Sequence, residues 1–286
     1  MGIFQLKSLF VNNVDYFCLM KIFKKAFDFY IDGSIHVAFA VFCLVQISII
    51  SNHLVSMDYF PFCVFSGTVL GYNFLKYFEV FRRGFLGFNR YYAFIIVSVL
   101  AGVGFLFSFY TLENRIQKLI FFSGLFVLMY PFLRRYGWLK LFWVSFVVTF
   151  ITAYIPFQTI KWAPFELNIV LIQRFFILTS LLIPFEIMDS KTDEKILNTL
   201  PQIFGINSAK LFGILLVIPF ILLEFLIQNP SYLVLPIGII TVLFIDFTDW
   251  KRNKYYTSFW VESVPILWWL MLVLFQLKTE TFLFRF

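Results

Sequence analysis

Charge is scarce in this sequence, and so are the residues on which most enzymes build their chemistry. Only 14% of the 286 residues are charged, whereas a soluble domain carries about a quarter, so an ordinary water-exposed surface is excluded. Two histidines, His36 and His53, give haem, zinc and catalytic-triad sites little to build on. Three scattered cysteines, Cys18, Cys43 and Cys63, have neither pairing nor metal spacing and read as small core residues. There is no Walker-type phosphate loop and no G-x-G-x-x-G. The N-terminal stretch lacks the small-residue cleavage site of a secretory leader, and Met-Gly-Ile-Phe-Gln-Leu lacks the Ser or Thr of a myristoylation signal.

What is present is apolar: 61% of residues are hydrophobic, 22% are aromatic and 43 are Phe. Runs of about 18 to 24 apolar residues recur along the chain, each long enough to cross about 30 Å of hydrocarbon as a helix. They are apolar all round rather than alternating, which argues against a strand barrel. The expectation is an all-α polytopic membrane protein with nine transmembrane helices, at roughly 34–53, 59–80, 91–111, 116–133, 138–157, 166–189, 210–228, 232–248 and 258–277. Residues 1–33 read as an amphipathic interfacial segment with Lys21, Lys24 and Lys25 toward headgroups, and 34–286 as the transmembrane domain.

Basic residues set the expected orientation. With the N-terminus in the cytoplasm and the C-terminus outside, sixteen of the 23 lysines and arginines lie inside and five outside, while Lys76 and Arg174 fall within spans. That arrangement suits the inner membrane of a bacterial cell. The net charge of +7 is thereby explained by insertion and anionic lipid rather than by nucleic acid.

The same cytoplasmic edge collects acids. Glu186, Asp189 and Asp193 end the sixth expected span, and on a helix they fall within about 60° of one another, so they repel unless a cation sits between them. Glu79, Asp246, Asp249 and Glu262 lie at the same level, either as interfacial acids or as part of a site. Oxygen ligands suit Mg²⁺, which also accepts substrate phosphates. Lys76 is placed to neutralise Glu186 or Asp189, or else to snorkel or pair with Glu79. Arg174 lies too deep to reach the cytoplasmic headgroups, so it needs a carbonyl or Gln173 inside the bundle, or the polar end of a lipid-like ligand. His36 reads as interfacial.

The stretch EIMDSKTDEKILNTLPQIFG, residues 186–205, resembles the second acidic motif of the UbiA-type intramembrane prenyltransferases. Glu186, Asp189 and Asp193 fit its acidic positions, Thr199-Leu200-Pro201 its threonine-leucine-proline, and Gly205 its glycine. Nine helices with an internal N-terminus also resemble that family's bundle. The resemblance implies a protein that transfers or binds a group from an isoprenyl diphosphate, with a lipophilic, often aromatic acceptor, at the cytoplasmic face. Glu186, Asp189 and Asp193 would then hold Mg²⁺ and, with Lys76, form the catalytic region, while Asn73, Tyr77, Arg174 and Lys191 would face substrate. The family's first motif is degenerate here, because Phe74, Tyr77 and Phe81 stand where three aspartates belong. The alternative is therefore a noncatalytic relative that binds lipid or serves as the partner of another membrane protein.

Overall fold

The structure is a computed structural model that describes residues 20–54, 58–82, 88–158, 164–190, 198–227 and 230–283. Among these residues it is all helical. In hydrocarbon every backbone N–H and C=O must find an internal partner, and a chain of apolar runs meets that demand within each helix. We number the helices α1 Met20–Asp32, α2 Ile35–Ser51, α3 Phe60–Arg82, α4 Phe88–Thr111, α5 Asn114–Leu133, α6 Gly137–Phe157, α7 Pro164–Asp189, α8 Leu200–Phe204, α9 Ile206–Glu224, α10 Val234–Asp246 and α11 Val264–Leu283.

Each of the nine stretches read as a span from the sequence is helical. Among the described residues six helical segments are long and apolar enough to cross a membrane: Tyr92–Thr111, Asn114–Leu133, Gly137–Phe157, Phe165–Asp189, Ile206–Glu224 and Tyr256–Leu277. A seventh is added if α1 and α2, which pass together but are bent by 55°, count as one. Helix α3 has 23 residues and adequate length, but Asn73 and Lys76 lower its hydropathy. Helix α10 has only 13 residues, about 20 Å at 1.5 Å per residue, short of a hydrocarbon core of about 30 Å. The multi-pass membrane character read from composition is thus present, with six to seven candidate spans.

The bend between α1 and α2 has a local cause. Ser34 adopts a left-handed conformation (φ 61°), and a side chain at Gly33 would meet the Phe29 carbonyl at 2.7 Å. Residues 20–26 of α1 are exposed, Lys21, Lys24 and Lys25 among them. Residues 1–19 of the expected interfacial segment lie outside the described residues. Helix α7 sits at the centre, with 61% of its apolar window buried, whereas α4 and α5 bury 6% and 11% and present most of their surface to lipid. The largest core cluster joins Leu44 of α2, Ile177 and Leu181 of α7, Phe220 of α9, Ile237 of α10 and Trp268 of α11. Cys43 and Cys63 are buried free thiols, as their apolar settings led us to expect.

Among the described residues two π-helical turns interrupt the regular helices, Phe150–Tyr154 within α6 and Tyr256–Val261 ahead of α11. Such turns widen the ladder and free or redirect individual groups, often at functional sites.

Candidate functional site

The chain runs back and forth between two ends. At one of them meet the α1–α2 bend, the last turns of α3, α5 and α7, and the first turns of α6 and α11. Lys140, one turn into α6, reaches Glu186, on the last turn of α7, at 3.1 Å. Both side chains are 9% exposed, and fully buried Leu141, Ile183 and Ile187 pack in the same cluster. A single charge at that depth is costly, so each residue makes the other tolerable. Glu186 therefore does have a cationic partner, and it is Lys140. That lysine lies in the apolar run Trp138 to Trp143, which was the available signal; counting it as a positive loop residue concealed its role.

Lys76 does not fill the position considered for it beside Glu186 or Asp189. Its ammonium donates to the Asp32 carbonyl at 3.0 Å and lies 3.6 Å from the Asp32 carboxylate. The physical reason is the bend: α1 folds back so that its last residue meets the end of α3. Lys254 approaches the same carboxylate at 3.4 Å, and the Tyr77 hydroxyl donates to the Asp32 carbonyl at 2.9 Å. Tyr255 donates to Asp28, whose carboxylate holds the phenol above its usual range. Asn73 is 2% exposed and donates to Ser98 of α4 at 3.1 Å.

Asp189 is exposed on the last turn of α7, three residues beyond the buried Glu186. Asp193 and Lys191 lie outside the described residues, as does the side chain of Glu79. Among the described residues, no group of three or more His, Cys, Asp or Glu is placed to hold a metal ion. Asp246 and Asp249 are exposed; the Asp246 carbonyl accepts from Lys210 at 2.6 Å and the Asp249 carboxylate from the Lys251 amide.

His36 is 2% exposed. One ring nitrogen pairs with the Tyr30 hydroxyl at 2.9 Å, and the other lies 3.0 Å from the Phe259 carbonyl and 3.2 Å from the Ser263 hydroxyl. It ties the α1–α2 bend to the π-helical turn that precedes α11.

Deeper in the bundle, Arg174 takes the carbonyl solution. It donates to the Leu44 carbonyl at 2.9 Å and the Ser48 hydroxyl at 3.0 Å, and lies 5.3 Å from the ring centre of Trp268. Gln173 turns elsewhere, donating to Glu224 at 2.6 Å and the Phe220 carbonyl at 3.1 Å. The second Glu224 oxygen accepts from the Ser231 amide at 2.7 Å. These polar groups cross-link α2, α7, α9 and α11 in an otherwise apolar core.

The 186–205 stretch continues into a turn. The Thr199 amide donates to the Gln202 side chain at 3.1 Å, Pro201 opens α8, and Gly205 has φ 84°, a left-handed geometry between α8 and α9. The chain matches no family profile, no curated protein and no solved structure.

Proposed function

We propose that this chain is a divergent prenyltransferase-like protein of nine spans in a bacterial inner membrane, with its N-terminus cytoplasmic and its C-terminus outside. In this reading it holds an isoprenyl diphosphate or a similar lipid-linked anion at its cytoplasmic end without ionising it. The observation that carries the reading is the Lys140–Glu186 pair. A carboxylate 3.1 Å from a buried ammonium already has its charge balanced, so no metal is needed there. The described residues do not fit a two-magnesium site. Tyr77 stands where an aspartate belongs and spends its hydroxyl on the Asp32 carbonyl. Phe74 offers only hydrocarbon. Lys76 and Lys254, with side chains 44% and 55% exposed, are accessible to an anionic head. The aromatic helices would receive the isoprenoid tail.

The second reading is active prenyl transfer to a lipophilic acceptor. It draws on Asp189, exposed at the end of α7, and on Asp193 four residues later. The two readings separate with purified protein, farnesyl and geranylgeranyl diphosphates, and magnesium. Saturable binding without pyrophosphate release supports the first. Magnesium-dependent release that Glu186→Gln abolishes would replace it with the second, and absence of binding to either diphosphate would defeat both. A noncatalytic role also allows a protein partner, for which co-purification is the test.

A further inference from the structure

The two lysines named above for an anionic head already hold one anion of the chain's own. Lys76 of α3 lies 3.6 Å from one Asp32 carboxylate oxygen, and Lys254, just ahead of the π-helical turn Tyr256–Val261, lies 3.4 Å from the other. Both distances exceed the roughly 2.7–2.9 Å of a strong charge-assisted hydrogen bond. The three side chains are 35% to 55% exposed, so water and ions reach the contact, and pairs of this kind are weak. The Lys140–Glu186 pair, closer at 3.1 Å and 9% exposed, is closed to such exchange. Lys76 does not depend on the carboxylate for its position. It donates to the Asp32 carbonyl at 3.0 Å, and Tyr77 beside it in the chain donates to the same carbonyl at 2.9 Å. The ammonium keeps further N–H donors for another acceptor.

We infer that Asp32 is an internal competitor at the anion site: its carboxylate occupies Lys76 and Lys254 until a phosphate-bearing head displaces it. The inference rests on the reading of those lysines given above and names what regulates them. A diphosphate offers more oxygens and more charge than one carboxylate, so it gains more on the two ammonium groups than the carboxylate gives up. A singly charged phosphodiester gains little over the carboxylate. Anionic phospholipids crowd exposed lysines at a membrane surface, and the Asp32 contact keeps them from filling the site. Competition has a thermodynamic signature. A ligand that needs both lysines must displace Asp32 whatever its own charge, so removing the carboxylate tightens every such ligand by one common factor. Repulsion from a fixed neighbouring carboxylate would instead be relieved most for the most highly charged ligand.

The test measures binding of geranylgeranyl diphosphate, inorganic pyrophosphate and phosphatidylglycerol to the purified full-length protein in EDTA at fixed ionic strength. Asp32→Asn should tighten all three by the same factor, about fivefold or more, since two exposed pairs no longer have to be broken. Asp28→Asn removes a charge one turn away and keeps an acceptor for Tyr255; it should change each Kd by less than about twofold. An unchanged Kd in folded Asp32→Asn, an equal gain in Asp28→Asn, or a gain that grows with ligand charge would each overturn the inference. Carboxyl footprinting of the parent covers a variant that does not fold. Labelling of Asp32 should rise under saturating pyrophosphate, and constant labelling would overturn the inference as well. Geranylgeranyl diphosphate that binds equally to the parent and to Asp32→Asn defeats the competitor and leaves the isoprenoid reading. A common gain, with geranylgeranyl diphosphate no tighter than pyrophosphate, does the reverse. If none of the three binds either protein, both fall.

Discussion

Replacing Lys140 by methionine keeps the length of the side chain and removes its charge, leaving Glu186 ionised among Leu141, Ile183 and Ile187. The pair distance of 3.1 Å corresponds to a Coulomb attraction of roughly 5 kcal/mol at an effective dielectric of about 20. Part of that offsets desolvation, so breaking the pair from one side should cost about 3–5 kcal/mol. Substituting both partners, Lys140→Met with Glu186→Gln, removes both charges and should cost far less than the sum of the single changes. The expected coupling is at least about 1.5 kcal/mol, well above the error of additive sites. Reversible unfolding in mixed detergent and denaturant measures all four species. If Lys140→Met lies within about 0.5 kcal/mol of the parent, the range expected for a plain surface change, the buried pair does not exist as described.

Three further changes probe other parts of the fold. Arg174→Lys keeps the charge but cannot make both bonds, to the Leu44 carbonyl and Ser48, while lying over Trp268; a loss of about 1–2 kcal/mol is expected from the same unfolding assay. Gly213→Val places methyl groups where a Cβ alone already comes within 3.1 Å of Ile183 and 3.2 Å of Ile245, and should destabilise by about 1–3 kcal/mol through overpacking. Gly205→Ala meets open space but a backbone at φ 84°, so its cost of about 1 kcal/mol should come from conformation alone and appear as a modest drop in Tm.

The helices were legible because each is an uninterrupted apolar run, and a run of that kind in lipid has no alternative to a helix. The spans were less so. Helix α10 looks like a crossing segment in its composition, but the chain turns at Phe247 after 13 helical residues. The deep position of Arg174 followed from counting residues back from Glu186, and its need for a polar partner followed from depth; that the partners are the Leu44 carbonyl and Ser48 depended on how α2 packs. Lys140 and Glu186 illustrate the limit. Their attraction is short-ranged and lies between two helices, while periodicity describes one helix at a time. The sequence left Lys76 open between Glu186 or Asp189, the headgroups and Glu79, and Asp32 was not among its readings, since nothing in residues 1–33 announces that Ser34 turns left-handed and brings Asp32 to α3. The π-helical turn before Glu262 carries no sequence signature that we recognise.

The most direct test of the account is the binding isotherm of radiolabelled geranylgeranyl diphosphate to the purified protein, measured in EDTA and again with magnesium. Because lysine already balances Glu186, the account predicts saturable binding in EDTA with a Kd within about threefold of the magnesium value, weakened at least tenfold by Lys76→Met. Binding that vanishes in EDTA and returns with magnesium would contradict it.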